Sequence, residues 1–220
     1  MSTQLLMRRS GERTMIAESK SRRIDDDVQR LLSEGRRDEA ATHVLRQLGP
    51  EVYGFLVAAM GGQGDAGEVF SLLSERVWKS IGEFRFQCSL RTWVYVIARN
   101  EMSRFARGSR RHAVGRESPS AIAEVAAAVR TATDSALKPG KVNKLSMLRE
   151  ELSMDDRTLL ILRIDRALPW EDIALATLEA DGAEVASEDA LKREAARLRK
   201  RFQLIKHKLR RRFQQEGILG

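Results

Sequence analysis

Residues that could carry out catalysis are sparse in this chain. His43, His112 and His207 lie far apart, and none belongs to a metal-ligand spacing such as H-x-x-x-H. Gly61, Gly62 and Gly64 lack the following Lys-Ser/Thr of a phosphate loop and any preceding strand pattern, which leaves a tight turn. Cys88 is the single cysteine, so an internal disulfide framework and a cysteine-rich zinc site are excluded. Basic neighbours favour its thiolate, but no partner base accompanies it. No catalytic centre, metal or cofactor is expected.

Binding chemistry is better represented. Lys and Arg (39) exceed Asp and Glu (31) by eight, and the excess is concentrated. Between Arg85 and Arg116 there are eight arginines against one acid, Glu101; between Lys192 and Arg212 there are eleven Lys or Arg against Glu194 alone. The remaining residues are net acidic. Two basic segments on an acidic background point to two separate polyanion contacts, whereas a merely solvated helix face usually mixes both signs.

The two segments differ in texture. In the first, Phe84, Phe86, Trp93, Tyr95 and Phe105 are interleaved with Arg85, Arg91, Arg99, Arg104 and Arg107. Aromatic faces that stack bases, beside cations that hold the backbone, suit single-stranded nucleic acid. At helical spacing Leu90, Val94, Ile97 and Phe105 also read as core, and Trp93 fits either role. In the second, Arg197, Arg199, Lys200 and Gln203 are side chains able to read base edges or hold phosphates in a major groove.

The elements that must position these residues are helical nearly throughout: apolar residues recur at three and four, Pro is scarce and no alternating strand pattern persists. Residues 1–23 lack periodicity and read as a mobile arm. Ile24, Val28, Leu31 and Leu32 mark one helical face, and Ala40 to Leu48 another. Gly49-Pro50-Glu51 is expected to stop one helix and start the next. Phe70, Leu73, Val77 and Ile81 form a stripe. Ser89 is a candidate N-cap for a helix running to about Arg107, and the loop 84–88 before it projects from a helix N-terminus, where a phosphate is favourably held. Residues 113–143 read as a linker with a weak helix across their Ala-rich part. Ser153 with Asp156 resembles a capping box, and Trp170–Leu178 is a helix that would support the long basic one in a helix-turn-helix. The connection, Glu179 to about Ala190, is longer than the usual three or four residues. On the last helix Leu198, Phe202, Ile205 and Leu209 share a buried stripe, which leaves Arg197, Lys200, Arg201 and Gln203 off it.

The run from Phe70 to Trp78, then Phe84-Arg85-Phe86, then Ser89-Leu90-Arg91-Thr92-Trp93 through Ala98-Arg99-Asn100, resembles conserved region 2 of bacterial sigma factors of the extracytoplasmic-function group. Leu159–Asp165, Leu168–Ala174 and Leu198–Leu209 resemble region 4 of the same family. The resemblance implies an all-α chain of two helical domains joined by a flexible linker: an arm 1–23, a region 2-like domain 24–112, the linker 113–143, a region 4-like helix-turn-helix domain 144–213 and a tail 214–220. It implies a transcription initiation factor, not an enzyme, that binds core RNA polymerase and promoter DNA as duplex and as melted single strand, with an anti-sigma factor as a further partner. Glu68, Ser71, Leu72, Glu75 and Arg76 would then face the polymerase. Phe84, Arg85, Phe86, Arg91, Trp93, Arg99, Asn100, Arg104 and Arg107 would meet the minus-10 element. Ala196, Arg197, Arg199, Lys200, Arg201 and Gln203 would meet the minus-35 element. The family usually begins its clamp-binding helix with Asp-Ala-Glu-Asp, and this chain has Asp65-Ala66-Gly67-Glu68.

Two rivals remain: a stand-alone helix-turn-helix regulator, and a helical adaptor for an acidic partner. The longest apolar run, Phe55–Met60, is far short of the roughly 20 residues that span a bilayer. Arg8 and Arg9 interrupt the only apolar start, so no membrane insertion and a cytoplasmic location are expected.

Overall fold

The apolar periodicity resolves into helices, and the computed structural model describes residues 19, 21–108, 120–136, 149–178 and 187–215. Among them there is no strand, and the fold is all-α. In chain order α1 spans residues 21–33, α2 Arg37–Met60, α3 Gln63–Ser80, α4 Leu90–Ala106 and α5 Ser120–Ala136. Then come α6, Met154–Leu160, which widens into a π-helical turn at Ile161–Asp165, α7, Trp170–Leu178, and α8, Glu188–Gln215. No helix of the described residues is long and apolar enough to cross a membrane.

Local chemistry sets several of these boundaries. The Ser89 side chain accepts from the Thr92 amide and caps α4, and Ser153 does the same for Asp156 at α6. Asp25 of α1 accepts from the Leu90 amide at 2.9 Å, so a carboxylate from another helix also satisfies the first turn of α4. Gly61 ends α2 with φ 77°, a left-handed conformation that glycine adopts without a Cβ penalty.

Two sequence expectations are corrected. Pro50 neither ends nor starts a helix, because α2 runs through it. The ring removes one backbone bond, but Leu45, Leu48, Val52, Phe55 and Leu56 on either side are buried, and that packing outweighs a penalty of about 3 kcal/mol. The stretch read as linker, 113–143, carries the 17-residue α5, packed on α2 and α3 rather than free. Its buried face is only Ile122, Ala126, Val129 and Thr133, too few large side chains to announce a docked helix in the sequence. The rest of that stretch, most of the expected arm, residues 179–186 of the expected insertion and residues 216–220 lie outside the described residues.

The core places the candidate residues. α2 packs against α3, α4 and α5, while α7 packs on both α4 and α8. Buried side chains run as one cluster from Ile24 to Leu209. The two helical halves expected from the sequence therefore rest directly on each other.

Candidate nucleic-acid interface

α3 shows how spacing divides a helix into two faces. Val69, Phe70, Leu73 and Val77 are buried, while Glu68, Ser71 and Arg76 are exposed and Leu72 and Glu75 half-buried. All five residues expected to face a polymerase lie on this one helix. Glu75 pairs with Lys79 at 2.9 Å, and the Ser71 hydroxyl donates to the Gly67 carbonyl at 3.0 Å.

The loop after α3 brings three aromatics together. A 3-10 turn at Ile81–Glu83 leads to Phe84, whose ring centroid lies 4.7 Å from Phe86 and 4.9 Å from Trp93. Phe86 has φ 55°, an unusual conformation for a residue with a Cβ, of the kind that costs of order 1–3 kcal/mol and collects at functional sites. The three rings are half-buried, and Arg85 between them is exposed. With Trp93, Cys88 and Arg85, Leu175 of α7 and Leu191 of α8 line a cavity of about 360 Å³ at this junction.

The arginines of α4 do different work. Arg91 bonds Glu51 of α2 through Nε at 3.0 Å and through Nη2, and it donates to the Arg166 carbonyl at 2.8 Å. Burial disfavours the Arg91 charge, but the Glu51 carboxylate holds the guanidinium above its ordinary range. Burial alone would raise the Glu51 carboxyl; Arg91 and the Tyr95 hydroxyl, which donates to it at 2.8 Å, leave it below the ordinary carboxylate range. Thr92 donates to Asp172 of α7 at 2.8 Å, and burial pushes the Asp172 carboxyl up. Arg99 reaches Asp155 of α6 at 3.4 Å, and burial pulls its guanidinium down.

Thus Arg91 and Arg99 lie at the junction of the two halves, away from bulk solvent. The residue after Arg166, Ala167, has φ 53°, so the turn that offers its carbonyl to Arg91 is itself in an uncommon conformation. Asn100 is half-buried, and its Oδ1 has no hydrogen-bond partner among the described residues. Arg104 pairs with Glu101 at 3.1 Å, and Arg107 is exposed at the end of α4.

On α8 the stripe Leu198, Phe202, Ile205 and Leu209 is buried, with Phe202 edge-on to Trp170 at 5.5 Å. Ala196, Lys200 and Gln203 are exposed. Arg197 forms a two-pronged bond to Glu194, and Arg199 bonds Glu171 at 3.0 Å while lying over Trp170. Arg201 departs from the expectation of a solvent-facing side chain: at the edge of the stripe it turns inward to Asp156 at 2.6 Å. The residues expected at the minus-35 element share the middle turns of one helix, and those expected at the minus-10 element divide among the 84–88 loop, the junction and the end of α4. Glu51, Asp155 and Asp156, which hold Arg91, Arg99 and Arg201, and Asp172, which accepts from Thr92, were not expected in these partnerships from the sequence. Their only sequence signal is an acid on or beside an apolar helix face, too common to read.

Residues 44–112, the segment from within α2 through α4 and just beyond it, match the family model for sigma-70 region 2. This match supports a sigma-70 family RNA polymerase sigma factor with a role in transcription initiation, and implies binding of core polymerase and promoter DNA. No curated protein matches the chain.

Proposed function

We propose that the chain is a sigma factor of the extracytoplasmic-function group that recruits core RNA polymerase to specific promoters without a catalytic step of its own. In this reading α3 binds the polymerase, the 84–88 loop with α4 captures the melted minus-10 strand, and α8 reads the minus-35 duplex as the second helix of a helix-turn-helix. The region 2 domain is 24–112 and the region 4 domain 144–213, and the protein acts in the cytoplasm, where an anti-sigma factor would compete for it.

The observation that carries the reading is where the region 2 match falls: on the helices that hold the exposed α3 face and the aromatic–arginine loop. Stacking rings beside cations support single-strand capture, and an exposed row of cations on α8 supports duplex binding. Arg91 and Arg99 lie under the C-terminal half, so in this reading the halves separate before the minus-10 strand is gripped.

The test is competition for purified core polymerase. The double variant Glu75→Arg with Arg76→Glu reverses two charges on the exposed face of α3 and leaves its buried stripe untouched. Core affinity is expected to drop tenfold or more with the circular dichroism spectrum unchanged. Wild-type chain that does not bind core polymerase would overturn the whole reading in favour of the stand-alone regulator or the adaptor.

A further inference from the structure

α5 is held by fitted contacts that a passive tether does not need. Val129 enters the notch left by Gly49, where a Cβ would come within 3.0 Å of Val129 Cγ1 and 3.3 Å of Phe70. Arg130 donates to the Gly67 carbonyl at 3.1 Å and to Ser71 Oγ at 3.2 Å, and the Tyr53 hydroxyl donates to Asp134 at 3.2 Å. A helix that only spanned a gap would gain nothing from this registration.

The docking leaves a groove of about 650 Å³ between α3 and α5. Leu72 on one wall and Ile122, Ala123 and Ala126 on the other give it apolar surface; Glu68 and Glu75 stand on the α3 side, and the one cation among the described lining residues, Arg130 on α5, is engaged with Gly67 and Ser71. Ala123 and Ala126 on the α5 wall are small enough for a helical backbone to approach closely there. The two carboxylates are seven residues apart, about 10 Å along the helix axis, so cations two turns apart on an incoming helix would meet both. Four of the five residues assigned to polymerase binding line this groove, which means the assigned face is one wall of a trough whose other wall is α5.

We propose that α3 and α5 together form the polymerase docking groove, and that its occupant is an amphipathic helix of core RNA polymerase with an apolar stripe flanked by cations. The inference rests on the sigma-factor reading and adds a second, linker-borne wall to it. Helix-in-groove binding of this kind draws affinity from the apolar stripe and specificity from the flanking charges.

The experiment measures the full-length chain against purified core polymerase by competition, with two α5 variants. Ala123→Arg places a long cation into the groove from an exposed position, and Ala128→Arg puts the same cation on an exposed α5 position outside the groove. Ala123→Arg is expected to weaken binding at least tenfold, with Ala128→Arg within twofold of wild type and both equally helical. Unchanged or tighter binding by Ala123→Arg overturns the proposal, the latter by showing that α5 obstructs the polymerase. If the α3 double variant still loses affinity in that case, only the role of α5 fails; if neither variant loses affinity, the polymerase assignment of α3 fails with it.

Discussion

α4 and α8 both carry arginines on helices next to an apolar stripe, yet the two sets meet different surroundings. Arg91 and Arg99 on α4 have side chains only 16% and 21% exposed, and their carboxylate partners sit on other helices. Arg197 and Arg199 on α8 are 56% and 50% exposed, and Lys200 beside them faces solvent. Positive charge by itself therefore does not mark a nucleic-acid contact. An arginine under a neighbouring helix, bonded in two directions, anchors the fold; one at the surface is available to a polyanion and sensitive to salt.

The sharpest way to break this contrast is to remove the anchor. Glu51→Ala leaves the Arg91 guanidinium without its carboxylate in a half-buried site and the Tyr95 hydroxyl without its acceptor. Loss of one partner of such a pair costs about 3 kcal/mol, readable as a lower urea midpoint. A loss below about 1 kcal/mol would place Arg91 with the solvent cations and erase the distinction. The pH dependence gives a second reading. Because the folded Glu51 carboxyl lies below its ordinary value of 4.5, its contribution is complete above that pH and fades as the pH falls through the lower folded value. Glu51→Gln is expected to lose that acid-dependent part.

The contrast also explains what could be read from the sequence. The α8 stripe at Leu198, Phe202, Ile205 and Leu209 and the Ser89 and Ser153 caps depend on local spacing, and local spacing is what a sequence displays. Pro50 misleads because its local preference is overridden by burial on both sides of the kink-prone position. α5 was legible as a weak helix but not as a docked one: the notch that receives Val129 is made by Gly49, eighty residues earlier, and an absent side chain leaves no pattern. The same holds for the junction. Arg91, Thr92 and Arg99 could be marked as polar or basic, but their partners Glu51, Asp172 and Asp155 come from three different helices, and only the fold brings them together.

A smaller effect separates two kinds of solvent cation on α8. Lys200 lies in the middle of the helix, four residues after Ala196, and Arg211 near its end; both are exposed. If the middle turns enter the major groove, Lys200→Ala removes a base contact, costing about 1–3 kcal/mol and relaxing preference at one position of the minus-35 element. Arg211→Ala removes a phosphate contact, weakens all sequences alike and lowers the salt slope by about one. Binding isotherms on matched and mismatched duplexes at several salt concentrations separate the two. A uniform loss for Lys200→Ala would move the reading surface elsewhere on α8.

The mildest perturbation acts on the junction from the other side. Burial raises the Asp172 carboxyl, so holding it charged at neutral pH opposes folding even though Thr92 donates to it at 2.8 Å. For a carboxyl raised in the folded state, the folded chain keeps its proton to higher pH than the unfolded chain, and stability declines as pH rises through that window. Asp172→Asn keeps an oxygen to accept from Thr92 and removes the charge, but it also removes an attraction to Arg91, the smaller of the two influences. The variant is therefore expected to unfold at a slightly higher urea concentration at pH 7, by under about 1 kcal/mol. The difference should shrink as the pH approaches 3.8, the ordinary value, because wild-type Asp172 is then protonated in the folded chain and increasingly so in the unfolded one. A destabilised variant at pH 7 would show that Arg91 draws on Asp172 as well as on Glu51, so that the α4 anchor spans three helices rather than two.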